Sequence, residues 1–194
     1  MKLIFWHHQP LVSGPLKAML LISGLFMFAN AMLLPLYAIF VESIGGDITT
    51  ASNSYALFWL TAGLLTFVAG KFENKMKESE LALAWAMYIT SAGYLLYYFT
   101  KTTSILYLAM VILGIASAIF WPAFHSIYAK HTDGPKAAWQ WSFYDGLAYI
   151  IPAIGAALGG WMVKTHGFDP IFITMAAIAF CVGTFVVFLP RKLL

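Results

Sequence analysis

TTSILYLAMVILGIASAIFWPAFHSIYA (residues 102–129) runs without a full charge from Lys101 to Lys130. About 20 predominantly apolar residues suffice to carry a helix across a hydrocarbon core, so this stretch predicts a membrane-spanning helix. Five further runs of the same kind occupy residues 18–41, 48–70, 81–100, 137–163 and 170–190. Of the six, only the fifth contains a formal charge, Asp145. They are continuous apolar runs rather than ten-residue alternating segments, which predicts helices and disfavours a β-barrel.

Composition agrees. The chain is 61% apolar and 10% charged, with a mean hydropathy of +0.80, far from the roughly 25% charged content of soluble domains. Six spans and their connectors use nearly all 194 residues, so one membrane domain is expected and no separate soluble domain. The division predicted is a cytoplasmic or interfacial segment at 1–17, a six-helix domain at 18–190 and a short cytoplasmic end at 191–194. Residues 1–15 lack the apolar core and cleavage site of a secretory signal and are expected to be retained, with Phe5 and Trp6 in the interface.

Orientation follows from the loops. With a cytoplasmic amino terminus, that side holds Lys2, Lys17, Lys71, Lys75, Lys77, Lys130, Lys136, Arg191 and Lys192, and the other only Lys101 and Lys164, nine of the eleven basic residues against two. The positive-inside rule therefore predicts a cell-membrane protein with both termini cytoplasmic. Residues 42–54 read as the longest outer loop, with Gly45-Gly46 as its breaker and Ser52 and Asn53 as candidate caps. Asp133-Gly134-Pro135 is a turn signal between the fourth and fifth spans.

An offset of 90 residues pairs Gly24 with Gly114, Gly70 with Gly160 and Gly93 with Gly183. Near that offset, Asn30 and Pro35 echo Ser117 and Pro122. Three spans separate the copies, so a true repeat would be inverted in the membrane, as in secondary transporters. Chance spacing of the glycines common in membrane helices is the competing explanation.

No chemistry-bearing motif stands out. HExxH, GxxxxGK, CxxC and GxSxG are all missing from the sequence, so neither an enzyme, a cofactor nor a metal site is expected. His7-His8, His131 and His166 lack metal-ligand spacing, and Cys181 reads as a small apolar residue of the last span. Nothing suggests a nucleic-acid partner.

WQWSFYDGLAYIIPAIGAALGGWMVKTHGF (residues 139–168) resembles the fifth helix of the major facilitator superfamily, which often ends in GPxxGG. Here that pattern is Gly155-Ala156-Ala157-Leu158-Gly159-Gly160, with alanine in place of the proline. FWPAFHSIYAKHTDGPK (residues 120–136) resembles the family's fourth helix and its cytoplasmic exit. Gly70-Lys71-Phe72-Glu73-Asn74-Lys75 is similar to the GxLxDR loop signature, with Asn74 for the aspartate, Lys75 for the arginine and Lys77 for the following glycine. The arginine of proton-coupled drug exporters is missing from the fourth span, where Met110 and Leu113 stand before Gly114.

The resemblance implies an all-α fold, a single six-helix half made of two inverted three-helix repeats. It also implies a half-size secondary transporter that moves a small-molecule solute by alternating access as a homodimer in membrane lipid. A heterodimer with another half, or a non-transporting scaffold or partner subunit, remains the alternative. By the same resemblance the first and fourth spans line the cavity, the second and fifth meet the other half, and the third and sixth face lipid. Helical spacing then singles out Asn30, Tyr37, Ser117, Trp121, Trp141 and Tyr149 as cavity candidates, although for Asn30 an interhelical hydrogen bond is the favoured reading.

Small residues at Gly155, Ala156 and Gly159 suggest a dimer contact. Asp145, about 12 Å into its helix at 1.5 Å per residue, and His125 at a similar depth suggest a coupling or gating pair. Bracing of neighbouring helices is the alternative role for Asp145.

Overall fold

The computed structural model describes residues 12–73 and 78–190, with the side chains of residues 72 and 73 left out. Phe5, Trp6, His7-His8, most of the 1–17 segment, Asn74, Lys75, Lys77 and the 191–194 end lie outside the described residues. Among the described residues all regular structure is helical. The helices are α1 (Gly14–Leu33), a short α2 (Tyr37–Ser43), α3 (Ile48–Glu73), α4 (Ser79–Phe99), α5 (Thr103–Lys130), α6 (Ala137–His166) and α7 (Asp169–Phe188). The first predicted span is α1 with α2, and the other five are α3 to α7 in order.

Length and apolarity suit five of these segments to crossing a membrane. The remaining helix, α4, is 21 residues long and is made less apolar by Tyr88, Tyr94, Tyr97 and Tyr98. Six helices therefore stand where six spans are expected.

The first span is not continuous. Leu34–Leu36 forms a 3-10 turn between α1 and α2, because Pro35 has no N–H to continue the ladder and its ring crowds the preceding turn. Pro122 in α5 and Pro152 in α6 sit inside unbroken helices.

The outer connection after α2 is shorter than predicted. Gly45, at φ 81°, takes a left-handed conformation, and α3 begins at Ile48, so Ser52 and Asn53 fall inside the helix and cannot cap it. Asp47 takes the capping role instead. Its Oδ1 accepts the Thr50 backbone N–H at 2.7 Å and the Thr50 hydroxyl at 2.6 Å. These two bonds hold the exposed Asp47 carboxyl below its ordinary pKa, since both favour the ionised form.

The helices pair as an inverted repeat requires. α1 packs along α6 as α5 packs along α3, α7 touches α1 as α4 touches α5, and α4 and α7 pack on one another at the centre. Exchanging α1 with α5, α3 with α6 and α4 with α7 maps this set of neighbours onto itself. The glycines agree at two of three positions. A Cβ at Gly24 would lie 2.8 Å from Ile151 of α6, and one at Gly114 would lie 2.8 Å from Thr61 of α3, while Gly70 and Gly160 both face open space. Gly93 and Gly183 differ: the first abuts Leu113 of α5, the second Tyr88 of α4.

An aromatic core joins the helices, with Phe26 stacked on Phe120 at 4.3 Å and Phe40 against Phe172 at 4.8 Å. Hydrogen bonds add specificity. Ser91 donates to the Ala176 carbonyl at 2.9 Å, tying α4 to α7, and the hydroxyls of Tyr37 and Ser54 meet at 2.6 Å between α2 and α3. The α5–α6 turn is held by the Tyr128 hydroxyl donating to the Gln140 carbonyl at 2.7 Å, and by the Asp133 N–H donating to Gln140 Oε1 at 3.0 Å. What remains uncovered is mainly α3 and α6, with 11% of each span's apolar window buried, against 44% to 56% in the windows of the α1–α2 span, α5 and α7.

Candidate functional site

A cavity of about 260 Å³ lies beside the break in the first span. Every span contributes: Phe26, Met27, Asn30 and Tyr37 from the first, Tyr55, Phe58 and Trp59 from α3, and Thr90, Tyr94 and Tyr97 from α4. Met110, Leu113, Ser117 and Trp121 come from α5, Pro152 from α6 and Met175 from α7. Its floor is buried. Thr90, Tyr94, Tyr97, Met110 and Met175 are all enclosed, whereas Asn30, Leu34 and Trp59 form an exposed lip. The opening therefore lies on the side where α1 and α3 are exposed.

Local sequence explains this shape. Steps of three and four residues put Met27, Asn30, Leu34 and Tyr37 on one face of the first span, and the 3-10 turn at Leu34–Leu36 falls within that face. Thr90 satisfies itself by donating to the Ala86 carbonyl at 2.8 Å, and the Tyr97 hydroxyl points to Met110 sulfur at 3.4 Å. Tyr94 is different. It is 1% exposed, and its hydroxyl has no hydrogen-bond partner among the described residues. No lining residue carries a formal charge, so the site offers aromatic faces and a few neutral hydrogen-bonding groups.

Four predicted cavity residues, Asn30, Tyr37, Ser117 and Trp121, line this cavity. Asn30 is exposed at the lip, and among the described residues its side chain forms no interhelical hydrogen bond. Two others lie elsewhere. Trp141 packs at 4.6 Å on Tyr128, and Tyr149, 80% exposed, lies on the open face of α6, because that face turns away from α1.

Asp145 is exposed on α6 and His125 on α5. Among the described residues neither a hydrogen bond nor an ion pair joins them; the His125 ring instead stacks on Trp121 at 5.6 Å. Similar depth on neighbouring helices did not bring their polar atoms together.

The proposed dimer contact needs a correction. Gly155 and Gly159 are buried within the chain, against α1. An added Cβ would lie 2.5 Å from the Phe28 carbonyl oxygen at Gly155 and 2.1 Å from that of Met32 at Gly159. These glycines admit the α1 backbone, and Ala156 beside them is half-buried. The face of α6 free of α1 carries Asp145, Tyr149, Ala153 and Ala157, all exposed.

Sequence reasoning missed α4 as a cavity wall. Its signal was the run of tyrosines with Thr90, polar groups that a purely lipid-facing span would not need.

The sequence profile described as Major Facilitator Superfamily matches residues 19–193. A curated relative from Bacillus subtilis (strain 168), named as the uncharacterized MFS-type transporter YitZ, is 25% identical over 160 residues, which cover 80% of this chain and 94% of the relative.

Proposed function

The chain belongs to the major facilitator superfamily, and from that premise we propose that it is a half-size secondary transporter. It works as a parallel homodimer in the cell membrane, with both termini cytoplasmic, and passes a small solute by alternating access. The carrying observation is the cavity with a buried floor and an exposed lip, open on the side of poorly covered α3. A second copy related by a two-fold axis along the membrane normal gives two such units the parallel arrangement of family halves. It also covers the exposed Asn30 amide at the lip, which would be costly to leave in lipid. The relative matched over 94% of its own length by 160 residues supports a chain of about this size as a recurring unit.

Asp145 supports the same reading. A carboxylate on an exposed helix face at membrane depth costs a few kcal/mol unless it is hydrated, paired or neutralised. A partner across the dimer, or water in the path between the halves, provides that relief. Asp145 then serves coupling or gating, and His125, bordering the same turn with its ring against Trp121, serves separately from it.

Proteoliposome uptake with a solute library, with and without an imposed proton gradient, tests the proposal. Saturable flux is expected, with Asp145→Asn altering its rate or pH profile while dimer abundance stays unchanged. Protein that remains monomeric in native lipid, or a path to Asn30 closed to water-soluble thiol reagents at Asn30→Cys, would favour the scaffold reading instead.

A further inference from the structure

Tyr94 ends in the floor of the cavity with a hydroxyl that has no partner among the described residues. Leaving such a group unmet in an apolar interior is costly, commonly more than a made hydrogen bond contributes. The other two buried tyrosines of the cavity do not share this condition: Tyr37 is bonded to Ser54, and Tyr97 to Met110 sulfur.

We propose that Tyr94 is a specificity-determining residue whose hydroxyl donates a hydrogen bond to the solute. The solute class is a neutral, largely apolar aromatic compound bearing one hydrogen-bond acceptor. This deepens the transporter reading and rests on it for the word solute, though binding itself does not require flux.

Three observations select this class. Size is the first: about 260 Å³ exceeds the roughly 150 Å³ that accommodates benzene in an apolar protein cavity, so a substituted single ring fits. Chemistry is the second, because Phe26, Tyr55, Phe58 and Trp121 offer ring faces and edges for aromatic contact. Charge is the third. No lining residue is charged, and an ion would enter without a counter-charge, which burial penalises heavily.

The Tyr94 oxygen is enclosed, so the acceptor reaches it only when neighbouring side chains give way. Met110 and Met175 belong to the same lining, and an unbranched thioether repacks with little cost.

The test uses acetophenone, ethylbenzene, benzoate and benzylammonium as probes. They share one ring and differ in acceptor and charge. Saturable quenching of tryptophan fluorescence is measured on the full chain in lipid nanodiscs, with partition into empty nanodiscs subtracted. Acetophenone should bind about tenfold more tightly than ethylbenzene, the gain expected from satisfying one buried donor.

Tyr94→Phe should erase that preference, so that the variant binds acetophenone no more tightly than ethylbenzene. Equal binding of acetophenone and ethylbenzene by the native chain would overturn the proposal without any variant. So would tightest binding of benzoate or benzylammonium, or a preference that survives in Tyr94→Phe. Flux of acetophenone into proteoliposomes is measured separately. Binding with the predicted selectivity but no flux keeps the Tyr94 assignment and removes the transport reading, whereas flux without the selectivity does the reverse.

Discussion

Gly159 and Gly160 are adjacent in sequence and opposite in circumstance. At Gly159 an added methyl would fall 2.1 Å from the Met32 carbonyl oxygen of α1, whereas at Gly160 nothing lies within 4 Å. One glycine is there because two backbones need to touch, and the other meets no such demand. The lesson extends along α6: its Gly155–Gly159 side is fully used inside the chain, and its Asp145–Tyr149–Ala153 side is free for another molecule.

The largest effect should come from breaking the closed side. Gly159→Ala has no flexible side chain to push aside, only backbone, so α1 must retreat. A loss of about 3 kcal/mol is expected, as for overpacking in a tight core, read as a fall in the unfolding midpoint in detergent. Gly160→Ala should change stability by less than about 1 kcal/mol, and the better helix propensity of alanine favours a small gain. Similar losses at both positions would mean that α1 does not pack on α6 as described.

Cross-linking sharpens the open side. In a Cys181→Ala background, cysteines at Tyr149, Ala153 or Ala157 should form covalent dimers in native membranes. Cysteines at Gly155 or Gly159 should not, even where the protein accumulates. Dimers formed through α7 positions such as Phe180 alone would place the partner on a different face and remove the proposed arrangement.

A subtler test concerns the break beside the cavity. Pro35→Ala restores a backbone N–H and allows α1 to run on into α2. The variant should be as stable as the native protein or slightly more so, with solute flux reduced several-fold if the turn shapes the cavity. Unchanged flux with a continuous helix, monitored by solid-state NMR chemical shifts at residues 33–37, would separate the turn from function.

The smallest effect lies outside the bundle, at Asp47. Its carboxyl titrates below the ordinary carboxylate value because Thr50 bonds the ionised form. Its contribution to stability is therefore fully present above the unfolded-state value. It is lost as the pH falls through the lowered folded-state value. Asp47→Asn should flatten this acid-side slope of the unfolding midpoint and leave the slope near neutrality unchanged.

Much of the fold was legible because hydrocarbon imposes a length and a polarity on every span. The start of α3 at Ile48 and that of α6 at Ala137 coincide with the apolar runs. Pro35 was visible as well, but whether a proline kinks, breaks or is absorbed depends on what supports the freed carbonyl; Pro122 and Pro152 are absorbed while Pro35 is not. At the site, periodicity found Asn30, Tyr37, Ser117 and Trp121. Residue size misassigned Gly155 and Gly159 to a dimer contact, since a small residue marks a close approach without saying which helix approaches.

The linear sequence alone determined that the chain is a six-span helical membrane protein, and its motifs carried the family. Those properties come from hydropathy, spacing and local charge, each readable one segment at a time. Only the tertiary structure decided that α1 occupies the glycine side of α6, that His125 and Asp145 do not meet, and that Tyr94 lies in the cavity floor with a hydroxyl that has no partner among the described residues. The physical reason is that membrane helices lack the water-driven apolar attraction that would select partners from composition. Pairing is set by shape and hydrogen bonds at close range, and those depend on residues far apart in the chain.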